Sequence, residues 1–212
     1  MDRSNKVELI GTYGGDLTHA LSAWTSTSRE LTDEKKERVE SLLKRLAEGS
    51  DGNPHGSPFE KSSLHFLVTT DIATHIHLLK HRIGVSINAE SARYKELRED
   101  KYYLPADWPA EWIARLKEHT ERGLYLYHLA IKELLDKGLD KKRVKESARY
   151  FRGYNTQITA DIMFNFRSFV HLQKLRNVPG AQDEVAEVAQ DMLRLVCEHG
   201  GFKYSLKAWE LI

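Results

Sequence analysis

The chain has 212 residues, 41% hydrophobic and 30% charged, which suffices for one globular domain over residues 1–212 with a substantial core. Its 32 Lys+Arg nearly balance 31 Asp+Glu, so a net charge of +1 excludes an overall cationic field for nucleic acid or membrane, and any anionic ligand must be held by a local cluster. A lone cysteine, Cys197, excludes an internal disulfide, and no apolar run approaches the roughly 18 residues of a membrane span. The N-terminal MDRSNKVELIG lacks the apolar core of a signal peptide, so a cytoplasmic protein is expected, in the host cytoplasm if the gene is viral. Cys197 lies in the apolar run MLRLVC, where a buried structural thiol is expected.

Val7, Leu9 and Ile10 predict a short opening strand, the turn GTYGGD ends it, and LTHALSAW starts a helix. No Gly-Lys-Ser/Thr follows those glycines, so they read as a turn rather than a phosphate loop. From Thr32, acidic residues open an amphipathic helix with Val39, Leu42, Leu43 and Leu46 on one face and Gly49 closing it. SDGNPHGSP is a loop, and alternation through Leu64, Phe66 and Val68 predicts a strand. Asp71 can cap a helix with Ile72, Ile76 and Leu79 on its apolar side, which delivers the chain to the loop KHRIGVSINAESARY. YYLPADWP starts a long helix through Trp112, Leu116, Leu124 and Leu135 that DKGLD breaks. Helices near Lys141 to Tyr150, Asp161 to Asn177 and Gln182 to His199 complete the chain. The class is α+β, mostly helical, with a small antiparallel or mixed sheet from the N-terminal third.

Two donor clusters stand out against the balanced charge. HIHLLKHR sets His77 and His81 four apart, the spacing of a metal pair on one helix face, although a third ligand is missing; polar histidines on an exposed helix are the plainer reading. NFRSFVHLQKLR sets Asn165, Arg167, His171 and Arg176 among apolar residues, with Arg167 and His171 as i, i+4 neighbours. Either cluster alone reads as a solvated polar face; their recurrence suits a ligand with phosphates and a heterocycle. PHGSPFE adds His55, Ser57 and Glu60 in a turn, and KESARYF adds Arg149.

Taken in order, HGSPFE, KHR with a downstream Ser91 and ARY, SARY at Arg149, and NFRSFVHLQKLR followed by AQDEVAEVA resemble the flavin-dependent thymidylate synthases over roughly residues 55 to 195. The family's Arg-His-Arg is Lys80-His81-Arg82 here, the spacer IGVSINAE to Ser91 is one residue longer than the family's, and no apolar-proline step follows Arg149. Lysine keeps the charge but loses the bidentate fork of arginine. The longer spacer implies a bulge or wider turn between Arg82 and Asn88. Where many members carry glutamine, this chain has His77.

The resemblance implies an FAD site formed by His55, Ser57, Glu60, Lys80, His81, Arg82, Asn165, Arg167 and His171. It implies a deoxyuridylate site formed by Ser91, Arg93, Arg149 and Arg176, with Glu90 and His77. NADPH and methylenetetrahydrofolate follow as co-substrates, and a homotetramer with shared active sites as the assembly; no metal, membrane or nucleic-acid partner is expected. Arg176 is expected to stabilise charge developing on the pyrimidine, Arg93 and Arg149 to grip phosphate, and Ser91 to orient the nucleotide rather than to attack it. Two alternatives stay open: a related enzyme that releases a hydroxymethyl nucleotide, and a non-catalytic helical module binding nucleotide or nucleic acid.

Overall fold

The computed structural model describes residues 4–212; Met1, Asp2 and Arg3, the start of the stretch read above as lacking a leader core, lie outside the described residues. The elements run β1 (Lys6–Tyr13), α1 (Asp16–Trp24), α2 (Asp33–Glu37), α3 (Val39–Glu48), β2 (Ser63–Asp71), α4 (Ile72–Leu78), β3 (Val85–Ala89), α5 (Ala110–Asp136), α6 (Lys141–Ala148), β4 (Gln157–Asn165), α7 (Phe166–Arg176), α8 (Asp183–His199) and α9 (Lys203–Ala208). Short 3-10 turns cover Ser57–Glu60 and Arg149–Phe151. The class is α+β and mostly helical, with one small sheet of hydrogen-bonded order β1-β2-β4-β3. The pairs Ile72 N to Thr156 O, Glu90 N to Thr159 O and Asn165 N to Gly84 O run in opposite senses along their strands, so the sheet is antiparallel.

The sheet draws on more of the chain than its first third. QITADIMFN was expected inside a helix from Asp161, yet Ala160, Ile162 and Phe164 are buried while Thr159, Asp161 and Met163 alternate outward, the period of a strand. Likewise the expected loop after KHR contains β3, with Val85, Ile87 and Ala89 half-buried and Ser86 and Asn88 exposed. The helix expected from Thr32 to Gly49 is divided at Arg38, where φ −94° and ψ 1° leave helical geometry. Asp71 does cap α4, its Oδ1 accepting from Thr74 N at 2.9 Å. The apolar side expected for that helix is not the buried one: Ile76 and Leu79 are exposed, and Thr74, His75 and Leu78 face inward. Cys197 is also exposed rather than buried, on α8.

The chain forms two compact units. One comprises 4–6, Thr69–Ile76 and Ala89–Ala160, and the other Val7–Val68, His77–Asn88 and Asp161–Ile212. The first is built on α5 against α6: Tyr127, Ile131, Val144 and Ala148 are buried together, with Leu97, Leu134 and Leu135 packed on them. The second has an aromatic core in which Phe66 stacks on Phe169 at 6.0 Å and Phe166 on Phe202 at 5.4 Å. Each fully buried phenylalanine contributes about 2–3 kcal/mol of apolar burial, which fixes the start of α7 firmly. The donor-bearing face of α7 hangs from that anchor.

Candidate functional site

In the second unit, the β4-to-α7 junction organises the site. Asn165 is the N-cap of α7, its Oδ1 accepting from Ser168 N at 2.8 Å, which commits the oxygen and leaves the amide nitrogen as a donor. Gly84 turns in front of it at φ +65°, and a Cβ there would lie 2.1 Å from Asn165 Nδ2, so only glycine fits this turn into β3. Ser168 donates to Ile83 O across the same junction. Arg167, one residue into α7, donates to Glu60 Oε1 at 2.7 Å, and a Cβ on Gly56 would meet its guanidinium at 2.6 Å. Hence HGSPFE and NFR are two halves of one local structure, in which His55 and Ser57 are exposed beside the pair.

KHR meets the other end of α7. Helix α4 stops at Leu78, so His77 and His81 do not share a helix face as the metal-pair reading required; His81 follows in a turn, its N–H donating to Leu78 O. Its ring is 6% exposed, packs edge-on against His171 at 5.6 Å, and accepts from Arg176 Nε at 3.4 Å through Nε2. That bond requires the proton on Nδ1, and Nδ1 is buried with no partner among the described residues. Burial, then the charges of Arg176 and His171, lower His81 to about 4, so the ring is neutral and keeps this tautomer. Lys80, Arg82 and His171 are exposed around it.

The first unit holds a further group of polar residues, around Ser91, Arg93 and Arg149. After β3 the chain turns at Ser91–Tyr94, where Ser91 Oγ accepts from Arg93 N at 3.3 Å. Arg93 Nε donates to Glu146 Oε1 on α6 at 2.9 Å. Arg149, three residues on from Glu146, is exposed at the start of the 3-10 turn. Glu90 takes Lys95 Nζ at 2.8 Å and Thr159 N at 2.9 Å. Burial opposes its ionisation, but those hydrogen bonds outweigh it and hold the carboxyl below its ordinary range. Glu90 is therefore an anionic anchor of the turn. Among the described residues no histidine is bonded to the Ser91 hydroxyl, so none activates it as a nucleophile.

Cys197 carries no activation either: partial desolvation of its sulfur and the charge of Glu198 push the thiol up, away from the thiolate.

A cleft of about 900 Å³ in the second unit is lined by Glu60, Gly84 and Asn165 and by residues that the sequence did not mark as a site, among them Thr18, Arg29, Lys61 and Ser62. Arg29 and Lys61 are each a lone cation beside a glutamate, so no local spacing marked them. The residues present suit a dinucleotide cofactor: two cations and several hydroxyls line the cleft, Gly84 turns against Asn165 in its wall, and outside that lining the buried His81 Nδ1 has no acceptor among the described residues. Among the described residues, no helix is long and apolar enough to cross a membrane.

The profile of the family described as "Thymidylate synthase complementing protein" matches residues 8–199. A flavin-dependent thymidylate synthase of Pseudothermotoga lettingae is 31% identical over 193 residues, covering 86% of this chain and 80% of that protein. One of Streptomyces avermitilis is 36% identical over 125 residues, 57% of this chain. That match spans about half of the relative's length, 47%. The crystal structure of a UMP/dUMP methylase, PolB from Streptomyces cacaoi, bound with 5-Br dUMP, is 26% identical, with a TM-score of 0.79 over 99% of this chain and 97% of that one.

Proposed function

The chain belongs to the flavin-dependent thymidylate synthases, and we propose that it methylates deoxyuridylate reductively to thymidylate, with methylenetetrahydrofolate as carbon donor and NADPH as reductant of a bound FAD. The observation that carries this reading is the buried His81 Nδ1, a donor without a partner among the described residues, beside Arg176 and His171. A buried donor without a partner costs about 1–3 kcal/mol, a cost that a ligand acceptor removes.

The flavin, when bound, supplies hydride, which no side chain provides. His55, Ser57, Glu60, Lys80, His81, Arg82, Asn165, Arg167 and His171 hold it in this reading. Glu60 already fixes Arg167, so the guanidinium is oriented before the ligand arrives. Ser91, Arg93 and Arg149 bind the nucleotide: the two guanidiniums take the phosphate, and the serine hydroxyl orients the nucleoside. Glu90 holds their turn, and His77 borders the pyrimidine. Arg176 has the role of stabilising the negative charge that develops on the pyrimidine as C5 attacks the one-carbon unit; its fixed charge needs no proton transfer. Assembly as a homotetramer sharing sites between subunits, in the cytoplasm, belongs to the same proposal.

Substitution separates these roles. Arg149→Ala removes a phosphate contact worth about 2 kcal/mol and weakens deoxyuridylate binding roughly thirtyfold in an equilibrium titration. Arg176→Ala leaves that affinity within a few-fold and abolishes turnover. Intact turnover in Arg176→Ala contradicts its assigned role, and intact turnover in both variants contradicts the reading.

A further inference from the structure

Asp16, His19, Ser62 and Ser205 form a buried series of hydrogen bonds that the proposed chemistry does not use. Asp16 accepts from Tyr204 N and Ser205 N, each at 2.8 Å, and its Oδ1 also accepts the Ser205 hydroxyl at 2.6 Å. With its proton given to Asp16, Ser205 Oγ can only accept from His19, whose Nδ1 lies 2.8 Å away. His19 therefore carries its proton on Nδ1. Its Nε2 then has a lone pair, and Ser62 Oγ, 2.6 Å away, must donate to it. The imidazole is fully buried between Phe59 and Phe166, with centroids at 5.2 Å, and burial lowers its pKa to about 4, so it is neutral and the direction of the series is fixed.

Ser62 ends this series at the wall of the 900 Å³ cleft, beside Lys61 and with Arg29 in the same lining. Its proton goes to His19, so toward any further partner the Ser62 oxygen can only accept. Cations nearby suit phosphate, whereas an acceptor-only hydroxyl selects an N–H or O–H group and rejects a lone pair. We infer that Ser62 is a binding residue of the cofactor cleft, an acceptor for an N–H or O–H of the flavin dinucleotide, with Asp16, Ser205 and His19 as the positioning residues that keep it an acceptor. The inference rests on the reading that FAD occupies this cleft.

Ser205 does not line the cleft, and Ser205→Ala frees the His19 tautomer while leaving every cleft atom in place. The proton can then move to Nε2, which turns the Ser62 hydroxyl outward as a donor. Titration of the full-length protein with FAD, followed by flavin fluorescence, should show about tenfold weaker binding for both Ser62→Ala and Ser205→Ala, the loss of one hydrogen bond. A merely structural series lowers the melting temperature of Ser205→Ala without changing FAD affinity, and that result overturns the inference. Nitrogen-15 spectra of wild-type imidazoles decide the matter where a variant fails to fold: a His19 proton on Nδ1 supports the inference, and one on Nε2 overturns it. Failure of the wild-type protein to bind FAD overturns the functional reading itself, and with it the ligand named here.

Discussion

His19 and His81 are both kept neutral by burial, and each lowered to about 4. The sign of the linkage follows: above the ordinary 6.5 both states of the protein are uncharged at His19, and between 6.5 and 4 only the unfolded chain takes up the proton. Stability therefore falls as pH drops through that window, by about 3 kcal/mol in all for His19 at about 1.4 kcal/mol per pH unit. His81 adds less, because solvent reaches that site more readily. Urea melts at pH 7 and pH 4.5 should show the loss; equal stability at both contradicts the burial of a neutral His19. His81 was legible only once KHR stood in order with the other family blocks, since alone that run reads as a solvated polar face. His19 was not legible. In LTHALSAW it looks like any helical histidine, and its partners are 43 and 186 residues away in sequence.

At the scale of elements, the β4-to-α7 junction carries the most consequence. Asn165 does two separable things, capping α7 with its oxygen and offering its nitrogen to the cleft. Asn165→Asp keeps the capping acceptor and removes the donor, so it should melt within about 1 kcal/mol of wild type and bind FAD at least tenfold more weakly. Equal FAD affinity contradicts the second role. The junction was misread in sequence because NFRSFVHLQKLR has a strong helical pattern that was extended backward across ADIMF, whose own period is two.

The segment after Ser91 depends on α5. His128 sits between Glu96 at 2.6 Å and Asp100 at 3.0 Å, with Arg152 also on Asp100 and Arg98 on Glu96. Burial works against its charge, but the hydrogen bonds and charges of Asp100 and Glu96 prevail and raise it above the ordinary value. The clamp is complete below 6.5 and is lost as pH rises through the raised pKa, since one ring nitrogen then ceases to donate. KM for deoxyuridylate should accordingly rise on the alkaline side in the wild type and lose that inflection in His128→Gln. A matching profile in the variant contradicts the clamp.

For the molecule as a whole, the two donor clusters replace any general field. The helical, α+β character was legible from periodicity and caps, and the family from four ordered blocks of residues, which the profile match over residues 8–199 extends. What stayed hidden was long-range: the pairing of β4 between β2 and β3, and the cleft lined by Arg29 and Lys61, depend on contacts that no local spacing announces. Within the longer spacer, Gly84 turns the chain directly into β3. Whether the one-carbon unit leaves fully reduced is the central claim. Its most direct test is an anaerobic reaction of the purified protein with FAD, NADPH, methylenetetrahydrofolate and deoxyuridylate, with uridylate run in parallel, followed by mass analysis of the nucleotide. The account predicts a methyl group added to deoxyuridylate; a hydroxymethyl product, or a nucleotide returned unchanged, contradicts it.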